Sequence, residues 1–181
     1  HLLALTANAI LDVGVWYHVM GVYTGGSAAS SMSIHIDGVD STDSQAILGA
    51  FSTSRNTTEP LAIGRAGDGT RYFAGSIAQP TIWKPIVLTD ADVLAEFQRT
   101  AGGFGYLEGQ DINVGTNYFM TNGLVAAYSF EYNKAADQSG NGNHGTVNGA
   151  THTVDGGGLF SSYDFDDVND YIATPDAASL T

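Results

Sequence analysis

The residues best suited to chemistry lie between Asp137 and Gly145, in the sequence DQSGNGNHG. Oxygen-bearing side chains stand at every second position there: Asp137, Ser139, Asn141 and Asn143. A hard cation such as Ca²⁺ is held by roughly six to eight oxygens from carboxylates, amides and backbone carbonyls. The pattern therefore predicts a calcium site. An Asx-rich turn, whose side chains hydrogen-bond to their own backbone, is the alternative, and the sequence leaves both open.

A second group of oxygen ligands lies near the end of the chain. Asp164, Asp166, Asp167 and Asp170 form its densest acidic cluster, together with Asn169. Carboxylates this close repel one another unless a cation or water screens them. Asp166 and Asp167 are accordingly predicted to be further calcium ligands. The alternative is a solvated turn between two strands, with Asp164 and Asp166 exposed on one strand face.

Three tyrosines in loop-like stretches could bind a sugar, because a tyrosine combines an apolar ring face with a polar edge. They are Tyr72, Tyr106 and Tyr132. Packing in the core or against a linker is the alternative for each. No residue is predicted to be catalytic. Glycoside hydrolases need two carboxylates close together, and the four glutamates, Glu59, Glu96, Glu108 and Glu131, are widely spaced. We therefore expect that the protein is not an enzyme.

The composition excludes several partners. Acidic residues outnumber basic ones by 19 to 6, giving a net charge of −13. Such a surface repels nucleic acid and anionic membranes, and no apolar run approaches the roughly 20 residues that span a bilayer. Without cysteine, neither disulfides nor thiolate metal sites can form. The chain opens at His1 without a signal peptide, which suits a mature product or a window cut from a longer protein.

The elements that must position these residues are mostly strands. Met32–Ile36 alternates in polarity, with Met32, Ile34 and Ile36 on one face, and Asp37-Gly38 follows as a hairpin turn. One helix is expected at 90–97, capped by Thr89. Many short strands, glycine-rich turns and one small helix predict an all-β sandwich. Further strands are predicted at 16–23, 61–65, 73–83, 124–130, 159–165 and 170–173.

Two sets of motifs resemble the laminin-G-like, concanavalin-A-like jelly-roll family. WYHVMGVYTGG, MSIHIDGV and PLAIGRAGDGTRYFAGSIAQPTIWKPIVLTDADV are similar to the C-terminal half of such a domain. GLVAAYSFEYN, DQSGNGNHGTVNGA and GLFSSYDFDDVNDYIATPDAASLT are similar to the N-terminal half. The resemblance implies a jelly-roll β-sandwich in which metal binding is common at the loop beginning at Asp137. Two positions depart from the family: Ala78 and Gln79 replace an acidic pair, and Phe165-Asp166-Asp167 replaces an FDG-type turn.

The two halves stand in reversed order. We predict a C-terminal part at 1–99, a linker at 100–122 and an N-terminal part at 123–181. Either the chain is a window across tandem repeats, which we favour, or the jelly roll is circularly permuted. A half sandwich alone leaves inner-face residues such as Phe130 and Phe165 without cover and strand edges unpaired. The parts must therefore pack together or be completed by neighbours.

These observations predict a non-catalytic, extracellular or cell-surface structural repeat. It would assemble with neighbouring copies into a fibre, stalk or coat, stabilised by calcium. The alternative is a calcium-dependent carbohydrate-binding module. Expected partners are copies of the chain itself and glycans, with no nucleic acid and no membrane insertion.

Overall fold

The computed structural model describes residues 2–6, 11–47, 60–66, 69–101, 123–155 and 160–175. These residues form an all-β fold with one α-helix, and every strand pair is antiparallel. The chain divides into two compact units. The first contains residues 1–55 and 87–102, and the second contains residues 56–86 and 103–181. No helix among the described residues is long and apolar enough to cross a membrane.

The described residues of the first unit form five strands, a 3-10 turn and the helix. Their bounds are β1 Leu2–Thr6, β2 Val19–Tyr23, the turn Ala29–Ser31, β3 Met32–Ile36, β4 Val39–Asp40, β5 Thr42–Ile47 and α1 Asp90–Ala101. The strands form two sheets, ordered β2-β3-β4 and β1-β5. Asp37 and Gly38 join β3 to β4 with φ values of 49° and 78°. Two left-handed residues are what a tight two-residue hairpin requires, and the predicted hairpin is confirmed.

The buried face of β3 is the opposite of the one suggested by its apolar residues. His35 is 1% exposed, whereas Met32, Ile34 and Ile36 are only half-buried. His35 lies directly opposite Met20, which is buried, so both side chains leave the sheet on the same side. Nε2 of His35 is 3.1 Å from a carboxylate oxygen of Asp90, the first residue of α1. The face of β3 that is buried is thus the one carrying His35, which contacts α1, and not the one carrying the apolar side chains.

The helix begins where its capping residues predict. The backbone N–H and the hydroxyl of Thr89 donate to Oδ2 of Asp92 at 2.8 and 2.7 Å, and Asp92 N–H donates back to the hydroxyl at 3.3 Å. This reciprocal pair satisfies donors at the helix start. The helix then continues four residues beyond the predicted end, to Ala101.

Eight strands and a second 3-10 turn lie in the described part of the second unit. Their bounds are β6 Ala62–Ile63, β7 Ala74–Ala78, β8 Thr81–Trp83, β9 Leu124–Ala127, the turn Glu131–Asn133, β10 Thr146–Asn148, β11 Thr151–Asp155, β12 Phe160–Asp166 and β13 Tyr171–Ala173. They form sheets ordered β10-β13-β6, β11-β12-β7 and β8-β9. Each of these sheets joins strands from 60–86 to strands from 123–175.

This pairing covers two aromatic residues of the second unit. Phe130 is fully buried and Phe165 is 4% exposed, so neither lacks cover. Both belong to a core whose other buried members are Ala126, Tyr128, Ala135, Ala150, Tyr163 and Ile172. The strands that family order assigns to separate halves pair with each other here, and Ile63, Ile77 and Ile82 pack on the core. The division at 100–122 stays a prediction, since most of that stretch lies outside the described residues.

Candidate functional site

The candidate site is centred on Asp137, which is 7% exposed and follows the turn after β9. Its Oδ1 accepts hydrogen bonds from the backbone N–H groups of Ala127 at 3.1 Å and Ser139 at 2.9 Å. Its Oδ2 accepts from the Ser139 hydroxyl and from Asn143 N–H, both at 2.9 Å. One carboxylate thereby ties the whole loop 137–143 to β9.

The other predicted ligands of this loop contact β9 directly. The Asn143 side chain is completely buried and donates to the Val125 carbonyl at 2.7 Å. The Asn141 amide donates to the carbonyls of Leu124 and Val125 at 3.1 and 3.2 Å. The Ser139 hydroxyl also lies 3.0 Å from the Val125 carbonyl. The structure thus brings all four residues together, and the amides of Asn141 and Asn143 are directed at backbone oxygens.

Two charge states follow from this arrangement. Burial raises the pKa of Asp137, but the hydrogen bonds from Ser139, Ala127 and Asn143 together outweigh burial and leave that pKa below its ordinary value. Asp137 is therefore ionised at neutral pH. Burial, aided by the Asp137 charge, raises the pKa of Tyr128 to about 12. Tyr128 stays protonated, and its hydroxyl donates to the Asn143 carbonyl at 2.6 Å.

In this arrangement the oxygen ligands that the loop offers fit a calcium ion poorly. Calcium binds through oxygen lone pairs, yet both oxygens of Asp137 already accept two hydrogen bonds each. In the described part of the chain, no three His, Asp or Glu side chains are grouped closely enough to hold a metal. The contacts match the Asx-rich turn. Calcium binding stays a prediction, and it would have to replace these hydrogen bonds.

The second acidic cluster forms the turn between β12 and β13. Oδ1 of the exposed Asp166 accepts from Val168 N–H at 2.9 Å and Asn169 N–H at 3.2 Å, and these bonds lower the pKa of Asp166. Asp167 is exposed with a left-handed φ of 64°. Asp164 is half-buried rather than exposed, and it accepts a hydrogen bond from the Ser76 hydroxyl on β7.

The three tyrosines predicted to bind sugars differ in their surroundings. Tyr72 is half-buried and lines a shallow depression of about 300 Å³ with Arg71 and Phe73. Tyr132 does not line it and is 88% exposed. Tyr106 lies outside the described residues. Of the two described candidates, Tyr132 has the ring that is more open to a ligand.

The backbone around Tyr132 is held in an unusual conformation. Phe130, Tyr132 and Asn133 all have left-handed φ values, 61°, 56° and 56°. Such residues cost roughly 1–3 kcal/mol each and persist only where surrounding contacts fix them. Here the Phe130 carbonyl is 3.1 Å from Nε2 of His152, and the Tyr163 hydroxyl donates to Asn133 Oδ1 at 2.9 Å. Nothing in the sequence pattern of this turn indicated its conformation.

Sequence reasoning also missed the role of two residues near the sites. The guanidinium of Arg65 lies 3.9 Å from the centre of the Tyr171 ring. Nδ1 of His144 accepts a hydrogen bond from Asp137 N–H at 3.1 Å. Arg65 precedes β7 by a hairpin and Tyr171 begins β13, so only the pairing of distant strands brings them together.

A sequence profile of the laminin G type, described as the concanavalin A-like lectin/glucanases superfamily, matches residues 3–94. These are 92 of the 181 residues of the chain. They include β2 to β8 and the start of α1, and they end before the Asp137 loop. No curated protein and no solved structure matches the chain.

Proposed function

Because this chain belongs to the concanavalin A-like lectin/glucanases superfamily, we propose that it is a non-catalytic extracellular structural or adhesion module that assembles with neighbouring copies of itself into a fibre, stalk or coat. The observation that carries the proposal is the set of strands that forms the core of the second unit. Its core is closed by strands from 60–86 and 123–175, which are far apart in the sequence. Family order assigns these strands to different halves of a domain, which is the order that a repeat array or a circularly permuted domain would give.

The proposal assigns no catalytic residue. Hydrolysis by a glucanase-like mechanism needs two carboxylates facing one bond. Glu96 is 4% exposed on α1 of the first unit, whereas Glu131 lies in a turn of the second unit. The buried Asp137 is committed to four hydrogen bonds and is ionised, so it is suited to holding a loop rather than to donating a proton.

Self-assembly is tested by the mass of the chain in solution. We expect the average mass to exceed that of one 18.9 kDa chain at micromolar concentration, and to rise with both protein and salt concentration. Salt enters because copies with a net charge of −13 repel one another, and the Debye length shortens from about 30 Å at 0.01 M to about 10 Å at 0.1 M salt. Sedimentation velocity measures this. A single species of one chain at every concentration would contradict the proposal.

Recognition of glycans is a second candidate function, and the exposed Tyr132 on its fixed turn favours it. An exposed aromatic ring can stack on the apolar face of a sugar. Tyr132→Ala should remove retention on a glycan array without changing the melting temperature, whereas the matched variant Tyr72→Ala should retain binding.

Running the array with calcium and with EDTA tests the predicted calcium dependence. The hydrogen bonds of the Asp137 loop lead us to expect equal binding in both. Binding that needs calcium, or that survives Tyr132→Ala, would contradict this assignment.

A further inference from the structure

We propose that a depression of the second unit binds an acidic saccharide, that is, a sugar carrying a carboxylate or a sulfate group. The depression has a volume of about 300 Å³, and Arg65, Arg71, Tyr72 and Phe73 are among its described lining residues. Tyr132 does not line it. This site is therefore separate from the one considered for glycans above, and it does not depend on the proposed assembly.

The depression is built on a hairpin between β6 and β7. The backbone N–H of Ala66 donates to the Arg71 carbonyl at 2.8 Å, and Arg65 forms an antiparallel β-bridge with Tyr72. Residues 67–68 of the hairpin lie outside the described residues. These backbone bonds hold the two arms together, so both arginines are brought to one depression by a short stretch of chain.

The guanidinium of Arg65 is held by an aromatic ring and not by a carboxylate. It lies 3.9 Å from the centre of the Tyr171 ring, and a Cβ placed on Gly69 would be 3.6 Å from its Nη1. Its Nε is buried without a hydrogen-bond acceptor, and no carboxylate of the described residues forms an ion pair with it. An aromatic ring attracts a cation but leaves its charge in place. Arg65 therefore offers a positioned, uncompensated positive charge.

The charge at this depression is opposite to that of the chain. Acidic residues outnumber basic ones by 19 to 6, yet two of the six basic residues, Arg65 and Arg71, line it. Among its described lining residues there is no Asp or Glu. Charges further away than the Debye length, about 8 Å at 0.15 M salt, are largely screened. The two arginines, rather than the net charge of −13, thus decide which ligand charge is favoured, and they favour an anion.

The rings beside the arginines narrow the class of anion. A guanidinium presents paired N–H donors that match two oxygens of a carboxylate or a sulfate. Phe73 is 44% exposed and Tyr72 is half-buried, and such rings can contact the apolar face of a sugar. The volume of about 300 Å³ is at the small end of ligand pockets, which measure roughly 300–1,000 Å³. A charged sugar unit satisfies both the arginines and the rings, whereas an inorganic anion would use the arginines alone.

Titration calorimetry of the whole chain tests the ligand class. The probes are trigalacturonate, its fully methyl-esterified form, which has the same sugars without the charge, and a sulfated galactose trisaccharide. We expect trigalacturonate or the sulfated trisaccharide to bind in 0.15 M salt, and the probe that binds identifies the anionic group. The esterified form should bind at least about tenfold more weakly than trigalacturonate if the carboxylate is recognised. Binding of neither charged probe, or equal binding of the acid and its ester without binding of the sulfated probe, would overturn the inference.

Charge-matched variants test the position of the site. Arg71→Gln, at an exposed residue, and Arg65→Lys, which keeps the charge but loses the planar donors, should each weaken binding of the charged probe about tenfold. Lys134→Gln removes one positive charge from an exposed position outside the depression and should bind as the wild type does.

The remaining outcomes separate this inference from the proposed function. Tyr132→Ala should keep its affinity for the charged probe, since Tyr132 does not line the depression. If Lys134→Gln weakened binding as much as Arg71→Gln, general charge attraction would explain it and the site would be wrong. If Arg65→Lys fails to fold, the comparison of Arg71→Gln with Lys134→Gln decides. A wild-type mass above that of one chain would leave the proposed assembly standing whichever way this test ends.

Discussion

Replacing Asp137 by Asn is expected to lower the free energy of unfolding by about 3 kcal/mol, because it places an amide N–H₂ against N–H donors. Asp137 is 7% exposed, and each of its oxygens accepts two hydrogen bonds. Whichever way the amide turns, its N–H₂ group faces backbone N–H or hydroxyl donors, and those donors lose their acceptor. Denaturant unfolding followed by circular dichroism measures the change.

Asp167→Asn is the matched control. Asp167 is exposed and has a left-handed φ of 64°, a conformation that Asn tolerates. We expect the free energy of unfolding of this variant to lie within about 0.5 kcal/mol of that of the wild type. If Asp137→Asn were as stable as Asp167→Asn, the hydrogen bonds of the Asp137 loop would not contribute to folding in the way described here.

The pH dependence gives a second test of the Asp137 loop. The folded chain holds the pKa of Asp137 below its ordinary value, so this group stabilises the fold fully above its unfolded pKa of about 3.9. That contribution is lost as the pH falls through the folded pKa. The stability gap between the wild type and Asp137→Asn should therefore narrow below about pH 4. A gap that widened in acid would show that the carboxylate is not the stabilised form.

Replacing Gly64 by Ala is expected to cost about 3 kcal/mol, since it combines backbone strain with a clash. Gly64 has a φ of 87°, in the left-handed region. A Cβ there would lie 2.3 Å from both Cδ1 and Cε1 of Phe165, a ring that is 4% exposed and has little room to move. Because Gly64 belongs to 60–86 and Phe165 belongs to the core formed by 123–175, the variant should weaken the packing of 60–86 on that core.

Gly140→Ala separates the clash from the strain. Gly140 has a φ of 89°, but nothing lies within 4 Å of a Cβ placed on it. We expect it to cost only the left-handed penalty, about 1 kcal/mol. Thermal melts of both variants provide the comparison. If both variants lost the same stability, the Phe165 ring would have moved aside. The close fit of Gly64 would then not be needed to hold 60–86 on the core.

The elements that depend on neighbouring residues were predictable from the sequence. The strand Met32–Ile36, the Asp37-Gly38 turn and the Thr89 cap each involve residues no more than a few positions apart, and the structure has all three. The buried face of that strand, however, is not its apolar face. The predicted strand at 73–83 is instead two strands, because Gln79 takes a left-handed φ of 51° before Pro80. Pro80 was the local signal for that break, because proline has no N–H to donate to a strand ladder.

The two acidic stretches are evident in the sequence but could not be interpreted from composition. Alternating oxygen side chains are equally suited to a cation and to an Asx-rich turn, because both use the same lone pairs. The backbone N–H of Ala127, ten positions before Asp137, takes one of these lone pairs. Which donors reach a carboxylate depends on how the loop folds back on β9.

By itself, then, the sequence determined the all-β class, the family resemblance and the positions of the turns, since these follow from side-chain periodicity and backbone preferences over short distances. The tertiary structure alone decided that His35 rather than Ile34 is buried, and that Phe130 and Phe165 are covered. It also paired Ser76 with Asp164, 88 positions away. Burial and strand pairing are set by which distant surfaces meet, and hydrophobic burial, being non-directional, leaves no local mark of its partner.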